Sequence, residues 1–85
     1  HRLADCLLDS LPKDLQLIKA TCERRDWKSV AIVAHRIRGC AATIESRSLL
    51  ESARQLEVHI KAMHSQGMGN EEDAVELCGQ LIELG

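Results

Sequence analysis

The stretch AHRIRGCAATI, residues 34–44, sets an imidazole, two guanidiniums and a glycine side by side at His35, Arg36, Arg38 and Gly39. On a helix His35, Arg38, Gly39 and Ala42 follow one another at steps of three and four residues and share a face. A neutral imidazole offers one ring lone pair to an electrophile, and phosphorus suits it. Phosphoryl transfer rests on in-line positioning and on neutralising charge spread over the equatorial oxygens, which asks for nearby cations and little else. Arg38 is the first cation available and Arg36 the next. Phosphoryl transfer is thus a chemistry that this arrangement could serve.

Gly39 bears on this chemistry. A glycine inside a helix costs about 1 kcal/mol relative to alanine, so one kept there needs a use for bare backbone. Helical side chains lean toward the N-terminus, and one at position 39 would lean over His35. Glycine leaves the imidazole open to a large partner. The competing use is close helix packing, in a plain helical interaction module, which predicts residue 39 buried against a neighbour. His59 and His64 lack a flanking glycine and cation and stand five apart, off the step of four that pairs metal ligands, so both read as surface residues. His1 is terminal.

Periodicity supplies the elements that hold these residues. Leu11, Leu15, Ile18 and Cys22 form a stripe after Asp9 or Ser10 as cap and Pro12 in the first turn, predicting a helix over about 11–25. Asp26 caps the next, about 27–44, with Trp27, Val30, Ala34, Ile37, Ala41 and Ile44 inward. His35 lies one residue, about 100°, past that stripe and borders solvent. Ser46 caps a third helix, 47–66, on Leu49, Ala53, Leu56, Ile60 and Met63, stopped by Gly67. Asn70 caps the last, whose first turn holds Glu71, Glu72 and Asp73 and whose stripe is Ala74, Leu77, Cys78, Leu81 and Leu84. Short connections predict an all-α fold: one antiparallel up-and-down four-helix bundle over residues 1–85, with residues 2–8 as a short capping helix.

Composition agrees with one small helical domain: 85 residues, 45 % hydrophobic, 28 % charged, one Trp and no Phe or Tyr. A net charge of −2 and the missing stacking aromatics argue against nucleic-acid binding. Lys28, Arg47 and Arg54 extend a positive surface across the second and third helices, while the last helix is acidic. That asymmetry suits steering toward an acidic partner. No apolar run is long enough for a membrane span and no signal-peptide pattern opens the chain, so direct membrane contact is not expected. The start in a helix-like stretch without Met predicts a piece of a longer polypeptide. Cys6, Cys22, Cys40 and Cys78 contain no CxxC pair and read as buried thiols in a reducing compartment, with a zinc site as the competing reading.

AHRIRGCAATI resembles the signature of histidine-containing phosphotransfer (HPt) domains, roughly A-H-x-[LI]-[KR]-G-[SA]-[AS]. The preceding RRDWKSV is similar to the family's acidic-aromatic entry to the histidine helix, and LLESARQLE to its third-helix segment. The resemblance implies that His35 accepts a phosphoryl group from a receiver-domain aspartate and passes it to another. Arg38 stands where lysine is usual, and Gly39 opens a docking surface that Arg36, Ala42 and Glu57 border. Counting along the leucines, the family's histidine-bonding glutamine falls on Glu57, whose carboxylate can orient the ring but also repels phosphate. Cys40 replaces a small Ser or Ala, and Glu45 a turn glycine. The receivers supply the catalytic aspartate and Mg²⁺, so the chain itself has no cofactor, metal or kinase site. It is expected as a cytoplasmic monomer, the C-terminal module of a membrane-anchored hybrid sensor kinase or a separate shuttle. The phosphoacceptor helix pair of a histidine kinase fits less well, because that pattern has an acid directly after the histidine and a proline five on, where this chain has Arg36 and Cys40.

Overall fold

Two of the connections are built alike, and they set the register of the helix that carries His35. The computed structural model describes residues 6–67 and 69–84; a π-helical turn, Cys6–Ser10, runs straight into α1 (Leu11–Glu23), followed by α2 (Trp27–Thr43), α3 (Arg47–Gln66) and α4 (Glu71–Leu84). After α1, the Arg25 N–H donates to the Cys22 carbonyl and the Asp26 N–H to the Thr21 carbonyl, each at 3.0 Å. After α2, Glu45 and Ser46 donate to Ala42 and Ala41 at 3.3 and 2.9 Å in the same pattern. Both are Schellman closures in which the residue after the left-handed position is already the N-cap of the next helix. That left-handed position is normally glycine, yet Arg25 and Glu45 occupy it at φ 55° and 58°, a cost of roughly 1 kcal/mol each.

The caps follow the sequence in part. Asp26 accepts from the Ser29 N–H at 3.4 Å and the Ser29 hydroxyl at 2.8 Å, and Asn70 from the Asp73 N–H at 2.8 Å. Gly67 ends α3 at φ 64°. Ser46 stands at its N-cap but its side chain makes no capping bond. Ser10 is helical, at φ −64° and ψ −50°, because the chain enters α1 already wound, and Asp9 pairs with Lys13 at 2.8 Å instead. The expected capping helix over 2–8 falls partly on residues 2–5, outside the described residues; its remainder belongs to the π-helical turn.

Helices α1–α4 enclose one core, with Ile18, Val30, Ala34, Ile37, Ala41, Ala53, Leu56 and Leu81 fully buried, and no strand occurs among the described residues. Leu15, Ile44, Met63 and Leu77 pack at its margin, Val33 joins it, and Leu84 is exposed. Each helix packs on the next, α4 closes on α1, and the α2–α3 contact is the most extensive. Trp27 is buried and its indole N–H donates to Glu71 Oε2 at 2.8 Å, so an acid expected only to favour the α4 dipole joins α4 to the start of α2. Cys22 and Cys78 are buried thiols of this core, and burial pushes the Cys78 thiol pKa up.

Asp14 on α1 is buried and lies 3.1 Å from the Arg36 guanidinium of α2. Burial pushes the Asp14 carboxyl pKa up, and Arg36 offsets part of the rise. The folded carboxyl therefore holds its proton more readily than the unfolded one. Its contribution to stability is full below about pH 4 and is lost as pH rises through the raised folded value. Arg36→Ala strands the carboxylate, at an expected cost of about 2 kcal/mol at pH 7, discounted from a fully buried pair because the guanidinium is half exposed. Urea titrations should show that deficit shrinking toward pH 4 and vanishing in an Asp14→Asn background. A deficit flat with pH would assign it to lost packing.

Candidate functional site

His35 projects from the face of α2 that adjoins α3, next to but outside the core stripe, and its side chain is 71 % exposed. Its ring is nevertheless fixed. Nδ1 lies 2.9 Å from Oε1 of Glu57 on α3, and the Arg38 Nη1 donates to the other oxygen of that carboxylate at 2.7 Å. Leu56 and Ile60, buried on either side of Glu57, lock α3 against the core and so fix where the carboxylate stands. A carboxylate paired with a guanidinium only accepts hydrogen bonds, which assigns the proton to Nδ1 and leaves the lone pair on Nε2, at the opposite edge of the ring.

Gly39 is exposed, and a Cβ built there meets nothing within 4 Å. A glycine kept for close packing would be covered by a neighbour; this one is not. The bared carbonyl of Gly39 accepts from the Thr43 hydroxyl at 3.1 Å. Ala42 is also exposed, on the same face of α2 one turn beyond Arg38.

His35, Arg38 and Glu57 thus come together, with Gly39 and Ala42 along the same ridge. Arg36 does not join them: one residue round the helix, its guanidinium reaches α1 and Asp14. Arg38 is not a loose cation either, since Glu57 holds it. His59 differs from the surface residue expected: it is half-buried, its Nε2 lies 2.9 Å from the Asn70 carbonyl oxygen, and its ring covers Gly69 so closely that a Cβ there would approach Cε1 to 2.6 Å. It secures the α3–α4 turn. Among the described residues no group of three His, Cys, Asp or Glu side chains is placed to hold a metal ion, and no helix is long and apolar enough to cross a membrane.

Of the α3 side of the site, the sequence pointed to Glu57 alone and not to the groove beyond it. An open groove of about 660 Å³ runs from His35 between α2 and α3, and Val58, Lys61 and His64 of α3 face Lys28, Ala31 and Ile32 of α2 across it. The signal was present as spacing: Lys28, Ala31, Ile32 and His35 recur at helical steps, as do Glu57, Lys61 and His64.

One protein-family model, Hpt domain, matches residues 2–84. No curated protein and no solved structure matches the chain.

Proposed function

The chain belongs to the Hpt domain family, and on that premise we propose that it is a phosphorelay carrier whose His35 Nε2 takes a phosphoryl group from one receiver-domain aspartate and delivers it to another. The observation that carries the reading is the shared Glu57 carboxylate, with His35 Nδ1 on one oxygen and Arg38 on the other. In the forward step the Nε2 lone pair attacks phosphorus, an N–P bond forms, the acyl P–O bond breaks and the receiver's aspartate leaves as carboxylate. The ring keeps its Nδ1 proton and becomes a phosphorylated imidazolium. Delivery reverses the sequence onto a second aspartate. The receivers bring the Mg²⁺, and this chain brings no nucleotide site.

Glu57 acts here as a positioning residue. It turns Nε2 outward, and its negative charge lies beside the ring as the ring becomes positive. Arg38 balances that charge, which relieves the repulsion of the incoming phosphoryl group that a bare carboxylate would impose. Gly39 leaves the approach clear. The antiparallel up-and-down bundle, the monomeric state and the cytoplasmic setting belong to the same proposal.

The test is passage of label from a phosphorylated receiver to the chain and on to a second receiver. Within it, Glu57→Gln keeps an acceptor for Nδ1–H and loses the charge, with kcat for transfer expected to fall about tenfold. Glu57→Ala loses orientation too and should fall about a hundredfold. KM should stay within about twofold in both, because the carboxylate is largely covered and is held by His35 and Arg38. Equal loss in the two variants, or loss of folding in both, would reduce Glu57 to a structural residue.

A further inference from the structure

The groove beside His35 is lopsided. Toward the N-terminal end of α2 and the C-terminal end of α3 it carries Ile32 and Val58, which are 56 % and 59 % exposed although both are large and apolar. Single exposed aliphatic residues are ordinary, but here two flank one open groove that ends at the nucleophile. Lys28, Lys61 and His64 surround them, and the one carboxylate lining the groove, Glu57, is taken by His35 and Arg38. Beyond His35 in the other direction Arg54 pairs with Glu51 at 3.5 Å.

We infer that the receiver docks off-centre, over the half of the α2–α3 face that runs from His35 to Lys28 and Lys61, and that Ile32 and Val58 are its apolar anchors. This rests on the carrier reading above and adds the footprint. The occupant is a receiver face with an apolar patch rimmed by carboxylates. Charge complementarity selects it: an aspartate that is phosphorylated beside a carboxylate-held Mg²⁺ gives the receiver an acidic mouth, and this half offers it cations without competing acids. The apolar pair supplies contact area where charge alone would give only steering.

The same footprint separates encounter from chemistry. The ring of His35 is held by Glu57 and not by Lys28, Ile32, Val58 or Lys61, so their replacement should alter binding of the receiver and leave the nucleophile intact. The experiment measures transfer from phosphorylated receivers to wild type, Lys28→Glu/Lys61→Glu, Ile32→Ser/Val58→Ser and, on the other flank, Arg47→Glu. Labelling by phosphoramidate, a small phosphoryl donor with no docking surface, runs in parallel. The basic-rim pair should raise KM for the receiver about tenfold at low salt, with the difference shrinking at high salt. The apolar pair should raise KM about tenfold at any salt. Phosphoramidate labelling should stay within about twofold of wild type in every variant. An unchanged KM in both groove variants, or an equal rise with Arg47→Glu, would overturn the off-centre footprint while leaving the carrier reading in place. Wild type that takes no label from any receiver or from phosphoramidate overturns the carrier reading itself, and the footprint with it.

Discussion

His35→Gln will leave the chain folded and unable to accept a phosphoryl group. The side chain is 71 % exposed and outside the core, so its removal disturbs no packing, and glutamine still reaches toward Glu57. The melting curve should match wild type to within about 0.5 kcal/mol, as for a surface substitution. Transfer should fall at least about a thousandfold, because the atom that forms the bond to phosphorus is gone and no other group replaces it. His59 Nε2 is engaged with the Asn70 carbonyl, and among the described residues no hydrogen-bonded carboxylate turns the ring of His64. Transfer from a labelled receiver, followed by gel autoradiography, checks this, and label retained by the variant would show that another residue is the acceptor.

Gly39→Gln separates access from folding in the opposite way. Position 39 is exposed, and a Cβ there has open space around it, so the new side chain meets no obstacle from the fold. Replacing a mid-helix glycine with a good helix former should raise stability by about 0.5 kcal/mol. The same side chain leans back one turn, over His35, and obstructs the approach of the receiver. Misplacement of reacting atoms by about 1 Å suffices for a hundredfold loss, and that is the size of the expected fall in transfer. Phosphoramidate, being small, should lose far less. A destabilised Gly39→Gln would revive close packing as the reason for the glycine.

The face that bears His35 was legible before the fold because it lies within one helix. Steps of three and four along residues 35–42 are enough to put His35, Arg38, Gly39 and Ala42 on one face, and the structure keeps that order. The core stripes and helix limits were legible for the same reason, α3 most closely, as its stripe, its Ser46 start and its Gly67 stop are all local signals. Partnerships between helices were not. Nothing in the spacing of Arg36 shows that Asp14 lies buried on α1 within 3.1 Å of it, so a residue read as facing a partner turns out to tie α1 to α2. Likewise Arg38 reads as a free cation until Glu57 is seen to hold it. The position of Glu57 was found only through the resemblance, by counting leucines, and its bridging of His35 and Arg38 is a property of the α2–α3 register. Glu45 carries a left-handed backbone that its side chain disfavours, a strain visible only once Ser46 is seen to donate back to Ala41.

The most direct measurement is phosphorus and nitrogen NMR of the chain, ¹⁵N-labelled in its histidines, after transfer from a phosphorylated receiver, together with the stability of the label in acid and base. The expected result is a single phosphoryl group bonded to Nε2 of His35, labile in acid and stable in base, with Nδ1 still protonated. A base-labile acyl phosphate, a phosphoryl group on Nδ1 or on another histidine, or a chain that stays unlabelled beside several competent receivers would contradict it.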